Sequence, residues 1–176
     1  MPQPLDALEL VERAREGRAD ALAELYAEFG QTLMALAFRL TGSRADAEDV
    51  LHDVFLGLPE ALARYEERGS LEGWLKRVTA RVALTRVRSR ARTREVGLAD
   101  SLVSPASSSP DRLDLETVQR AIDKLPAALR AVFVLREVEG YSHSEIAALL
   151  NITSNASEVR LHRALRSLRR TLGAEK

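Results

Sequence analysis

Apolar side chains recur at steps of three and four through most of this chain, and those steps divide it into helices. Leu22, Leu25, Tyr26, Phe29, Leu33, Leu36 and Leu40 mark one face of a helix of about five turns. Gly42-Ser43 closes it and caps the next. That next helix begins near Arg44, carries Asp46, Glu48 and Asp49 in its opening turns as the helix dipole favours, and buries Val50, Leu51, Val54 and Phe55. Pro59 is expected to break or kink it. Ser70 is a good N-cap for a long helix with Leu71, Trp74, Leu75, Val78 and Val82 on its apolar side, running on into the basic tract RVRSRARTR.

The stretch from Val96 to Asp111, with SLVSPASSSP inside it, is rich in Ser and Pro and nearly lacks large apolar residues, the composition of a linker. Helical spacing resumes at Leu115, Val118, Ile122 and Leu125. It restarts after Pro126 for a helix spanning Leu129 to Val138, which Gly140 ends. SHSEIAALL, a short break at Asn151-Ile152, and a second helix from Ser154 to Leu172 make a helix-turn-helix candidate. The pattern therefore predicts an all-α chain of two small helical domains, residues 1–94 and 112–176, joined by a flexible linker over 95–111.

Composition agrees: 45% of residues are hydrophobic and only 5% aromatic, enough for a core built from Leu and Ala in helices. With no Cys, a disulfide-stapled scaffold, a thiol nucleophile and a Cys-ligated zinc site are all excluded. No run of 18 or more apolar residues is present, and the acidic, amphipathic start MPQPLDALELVERAREG is unlike a signal peptide. A cytoplasmic protein with no membrane insertion is expected.

Lys+Arg and Asp+Glu both number 26, which at first argues against a nucleic-acid partner. The balance hides opposed segments. Residues 1–67 hold 6 basic and 14 acidic residues, net −8, whereas residues 68–94 hold 9 basic residues against Glu72 alone, net +8. Residues 95–126 carry net −3 and residues 127–176 net +3. Nine cations within 27 positions favour a phosphate-facing surface over a merely solvated one.

Arg77, Arg81, Arg88 and Arg92 are spaced four, seven and four apart, on one side of their helix, and Lys76, Arg86 and Arg90 widen that face. Tyr65 sits in the preceding loop. Trp74 is open to two readings, a core anchor or a base-stacking platform. A basic groove with an aromatic or two suits single-stranded DNA. In the helix-turn-helix, the second helix buries Ser157, Leu161, Ala164 or Leu165, Leu168 and Leu172. It leaves Asn155, Glu158, Val159, His162, Arg163 and Arg166 on other faces. Inert bundles also contain paired short helices, but a polar, Arg-bearing face suits a DNA groove and its phosphates.

The acidic group Asp46, Glu48, Asp49 and Asp53 fits either a solvated helix start or a protein partner. His52, His143 and His162 lack metal-binding spacing. No phosphate-cradling glycine loop, GxSxG elbow or apolar carboxylate pair supports an enzyme, and no cofactor is expected.

Taken together, these segments resemble bacterial RNA polymerase sigma factors of the extracytoplasmic-function (ECF) type, over nearly the whole chain. RLTGSRADAEDVLHDVFLGL resembles the family's region 2 helix that docks on the clamp helices of the polymerase β′ subunit. The resemblance implies a polymerase surface of Asp46, Glu48, Asp49, Val50, Asp53 and Phe55. RYEERGSLEGWLKRVTARVALTRVRSRAR resembles the promoter-melting part, whose loop, here Tyr65 to Ser70, receives a flipped base of the −10 strand. Its implied contacts are Tyr65, Arg68, Trp74, Lys76, Arg77, Arg81 and Arg88. IDKLPAALRAVFVLREVEGYSHSEIAALLNITSNASEVRLHRALRSLRR resembles region 4, which implies −35 contacts from Ser154, Asn155, Glu158, Val159, His162, Arg163 and Arg166.

The implied partners are core RNA polymerase through β′ and β, promoter DNA, and an anti-sigma factor. Against the common pattern G-T-V-[KR]-[SV]-R-L, this recognition helix has Asn155-Ala156-Ser157-Glu158-Val159-Arg160-Leu161. It thereby replaces a packing Val with Ser157 and a basic contact with Glu158. In the −10 helix, Arg81 and Thr85 stand where the family often has Asn and Asp. The competing reading is a stand-alone helix-turn-helix regulator, which explains 112–176 but gives no role to the acidic helix or the Trp74 to Arg94 surface.

Overall fold

The computed structural model describes residues 4–66, 69–96 and 115–173. Among them are nine α-helices and no strand, in two compact units, Met1–Arg86 and Val87–Lys176.

The first unit begins with α1 (Pro4–Arg15), followed by α2 (Ala19–Thr41), α3 (Arg44–Leu56) and α4 (Leu58–Leu62); α5 (Leu71–Val96) starts here and crosses the boundary between units. At the turn from α2 to α3, Gly42 adopts φ 69° and its N–H bonds to the Phe38 carbonyl. The Ser43 side chain then accepts the Asp46 N–H at 3.3 Å. A left-handed glycine followed by a serine N-cap reverses the chain in two residues. Gly57, not Pro59, separates α3 from α4; Pro59 sits in the opening turn of the new helix, where its missing N–H costs nothing.

Val11, Ala14, Leu25, Leu33, Leu51, Leu58, Leu62 and Leu75 join α1 through α5 in one core. Each fully buried leucine contributes about 1.5–3 kcal/mol. On α2 the register differs from the expected face. Ala21, Gly30 and Ala37 lie inside, and Tyr26 is 52% exposed. Small residues on the packed side let α2 approach its neighbours closely, so the ring is turned outward.

In the second unit, α6 (Leu115–Asp123) and α7 (Ala127–Phe133) precede a π-helical turn (Val134–Val138), α8 (His143–Leu150) and α9 (Ser154–Thr171). Ala121 and Leu125 pack on Ala164 and Leu168, with Ile122, Leu129, Phe133 and Leu172 around them. Arg130 is buried and donates to the Asp123 carbonyl at 3.0 Å, and burial lowers its guanidinium pKa. The widened turn is defined by the Glu139 N–H bonding to the Val134 carbonyl at 3.0 Å. It ends at Gly140 (φ 75°) and sends the chain into α8.

Helix α8 opens with a reciprocal cap: Ser142 accepts the Glu145 N–H, and the Glu145 carboxylate accepts the Ser142 N–H at 2.8 Å. Asn151 ends it at φ 53°, ψ 53°, a conformation that asparagine tolerates. Thr153 caps α9 by accepting the Ala156 N–H at 3.1 Å. Together these fix a sharp helix-turn-helix.

Candidate functional site

Three surfaces carry the residues singled out by the sequence. The first is the acidic face of α3. Asp46 is buried, with its Oδ1 3.4 Å from Arg86 Nε; Asp49 also meets Arg86, and Asp53 lies 3.6 Å from it. Glu48 pairs with Arg44 at 2.9 Å. Two expectations are corrected here. Val50 is wholly enclosed and Asp46 nearly so, and neither can form outer surface. Asp46 shares the Arg86 guanidinium with the exposed Asp49 and Asp53. Phe55 is half-buried and meets Tyr26 edge-on with centroids 5.0 Å apart, beside Leu56 at 73% exposure. The resulting face is acidic with an apolar margin. Sequence spacing put Tyr26 in the core and gave no role to Leu56.

The second surface is the start and basic side of α5. The rings of Tyr65 and Trp74 lie 5.0 Å apart, tilted by 59°, and both pack partly against the core of the first unit. Trp74 is half-buried, with part of its ring packed as a core anchor. Lys76 pairs with Glu72 at 3.1 Å, Arg77 is half-buried, and Arg81 is exposed. Arg86, counted among the cations of this face, points instead to α3. Within the second unit Arg88 is exposed and donates to the carbonyl of Leu150 at 2.9 Å. Arg68 lies outside the described residues.

The third surface is α9. Asn155, Glu158, Val159, His162, Arg163 and Arg166 line one shallow hollow of about 350 Å³, and Ser154 stands exposed at the N-terminal end of the helix. Spacings of three and four bring these six together. Arg166 Nη2 lies 3.2 Å from His162 Nε2. Beneath them, Ser157 is fully buried and its hydroxyl lies 2.9 Å from His143 Nδ1 on α8. Ser157 is buried as its spacing predicts, and a polar bond there joins the two helices. Such a surface offers a carboxylate, an amide, an imidazole, two guanidiniums and a methyl-bearing Val159 to base edges and phosphates. Among the described residues no group of acidic or His side chains is arranged to hold a metal ion.

Known proteins match both halves. The family model described as Sigma-70 region 2 matches residues 25–93, and Sigma-70, region 4 matches residues 115–168. The RNA polymerase sigma factor CarQ of Myxococcus xanthus is 31% identical over 166 residues, covering 93% of this chain and 95% of CarQ. The ECF RNA polymerase sigma factor SigL of Mycobacterium tuberculosis is 32% identical, covering 92% of this chain and 94% of SigL. SigE of Mycolicibacterium smegmatis is 33% identical over 153 residues, and the chain spans only 59% of its length. Among solved structures, CnrH in complex with the cytosolic domain of CnrY aligns with TM-score 0.57 and 27% identity, covering 95% of this chain and 97% of that one. RpoE in complex with the anti-sigma factor NepR, from Bartonella quintana, aligns with TM-score 0.65 at 21% identity over 88% of this chain and 98% of that one, a likeness of fold.

Proposed function

The chain belongs to the sigma-70 family of RNA polymerase sigma factors, in its extracytoplasmic-function group, and on that footing we propose how its surfaces divide promoter recognition. Residues 1–94 bind core enzyme and open the −10 element, residues 95–111 connect, and residues 112–176 bind the −35 duplex. Glu48, Asp49, Asp53 and Phe55, on the helix that buries Asp46 and Val50, meet the polymerase β′ clamp helices. Tyr65, Arg68, Trp74, Lys76, Arg77, Arg81 and Arg88 serve the −10 strand. Ser154, Asn155, Glu158, Val159, His162, Arg163 and Arg166 serve the −35 groove.

The observation that carries this reading is the convergence of six of the seven expected groove residues on one hollow of α9. A helix with such an exposed face fits the major groove. Unstacking a base costs a few kcal/mol, which capture of the flipped base and backbone contacts must offset. Recognition and opening are then one event. The factor itself makes and breaks no covalent bond. A free-standing regulator would leave the region 2 match, residues 25–93, without a role.

Its setting is cytoplasmic, alongside polymerase; among the described residues no helix is long and apolar enough to cross a membrane. An anti-sigma factor is the partner proposed for the resting protein, in keeping with the complex in which RpoE was solved. The test is pull-down with core polymerase followed by run-off transcription from a genomic library. Core binding with new start sites is expected. A folded sample that yields neither overturns the proposal.

A further inference from the structure

Arg15, near the end of α1, lies far in sequence from every surface described above, yet it touches the entrance to one of them. Its Nε donates to the Leu62 carbonyl at 3.0 Å and its Nη2 to the Tyr65 carbonyl at 3.4 Å. Its Nη1 bonds to Glu12 at 2.7 Å. Leu62 is the last residue of α4 and is fully buried; its carbonyl also accepts the Tyr65 N–H at 3.0 Å, so the guanidinium reinforces a backbone turn that joins the same two residues. A cation there also meets the negative end of the helix dipole. Tyr65, three residues on, packs its ring against Trp74.

We propose that Arg15 is a positioning residue for capture of the −10 strand: it ties the end of α4 to the backbone of Tyr65 and so sets the Tyr65–Trp74 pair. The inference rests on the strand-capture reading above. A planar guanidinium is required because three N–H groups must point at three separate acceptors at once. An ammonium can follow one carbonyl but has no fixed fork to span both. Glu12, by contrast, only pairs with the outer nitrogen, and its side chain is 58% exposed.

The experiment uses holoenzyme assembled from core polymerase and the full chain, wild type or carrying Arg15→Ala, Arg15→Lys or Glu12→Gln. Probes are a labelled single-stranded −10 oligonucleotide from a promoter found by run-off transcription, a scrambled version of it, and the matching −35 duplex. Preference for the −10 oligonucleotide over the scrambled one should fall about tenfold in Arg15→Ala, the scale of losing hydrogen bonds from a charged donor. Affinity for the −35 duplex and for core should stay at wild-type values. Arg15→Lys should recover part of the preference and Glu12→Gln all of it. Undiminished −10 preference in Arg15→Ala overturns the inference. Should that variant fail to fold, full preference in a folded Arg15→Lys does the same. If wild-type holoenzyme itself shows no −10 preference, the strand-capture reading falls first, and the role of Arg15 with it.

Discussion

Arg86 on α5 holds Asp46 on α3, Nε to Oδ1 at 3.4 Å, although 40 positions separate them. The same guanidinium reaches Asp49 and Asp53 on the next turns of α3, so one cation from the basic helix fastens three carboxylates of the acidic one. Only 8% of the Asp46 side chain is exposed, whereas Arg86 keeps 34%, so the pair is screened by solvent from one side only. Arg86→Ala should therefore cost about 1–3 kcal/mol, below the figure for a fully buried pair. Urea unfolding should show a lowered midpoint. An unchanged midpoint would mean that Arg86 is a nucleic-acid cation after all.

On the packed side of α9 a polar side chain is buried, and a stability effect follows. The buried Ser157 hydroxyl and His143 Nδ1, 2.9 Å apart, are the polar link between α8 and α9. Ser157→Ala leaves the ring nitrogen without that partner and should destabilise by about 1 kcal/mol. A double-mutant cycle with His143→Ala, read by thermal unfolding, should give a coupling energy; strict additivity would show that the bond contributes nothing.

Much of this molecule was legible in its residues because helical spacing reports burial locally. Leu25, Leu33, Leu36 and Leu40 are all inside, and the six residues assigned to the outer faces of α9 do share one hollow. What escaped depends on partners distant in sequence or on backbone detail. Tyr26 has the right spacing for the core, but Ala21, Gly30 and Ala37 occupy the packed side. Val50 belongs to a motif associated with a partner, yet its neighbours enclose it. Arg86 reads as a cation of the basic face, and Arg15 carries no pattern that singles it out, until α3 and α4 are folded against them. The π-helical turn over Val134–Val138 has no signature in composition; only its end, Gly140, was visible.

Glu158 is exposed within the α9 hollow. A carboxylate can accept from the N4 amine of cytosine, and a lysine cannot. Glu158→Lys should remove a cytosine preference at one −35 position, a discrimination of about 1–3 kcal/mol. Run-off transcription on a library randomised at −35 measures it. If the preference is unchanged at every position, Glu158 does not face a base.

Arg163 is exposed on the same helix, and among the described residues no partner engages its guanidinium in the way His162 engages that of Arg166. It is the better candidate for a phosphate. Arg163→Ala should weaken −35 duplex binding evenly across sequences and flatten the dependence of log affinity on log salt by about one. A slope equal to that of wild type, with sequence preference altered instead, would move Arg163 from phosphate to base.

Zero net charge conceals how the two signs are arranged, and the structure refines the account. The acidic excess of residues 1–67 already counts Arg13 and Arg44, which pair with Asp20, Glu24 and Glu48, and it is offset from outside that segment by Arg86, which meets Asp46, Asp49 and Asp53. Arg86 is by the same token withdrawn from the basic face of α5. Free protein therefore faces a polyanion with fewer cations than its sequence suggests and with Glu48, Asp49 and Asp53 still exposed on α3. Exposed charges act over about a Debye length, roughly 10 Å at 0.1 M salt, so those carboxylates oppose DNA approach until another protein covers them. Promoter affinity measured by fluorescence anisotropy should accordingly be weak for the free factor and rise when core polymerase is added. Replacing Asp49 and Asp53 with Asn should raise the affinity of the free factor, most of all at low salt, while reducing its affinity for core. Equal DNA affinity with and without core, or no response to those two substitutions, would remove the acidic face from the control of DNA binding.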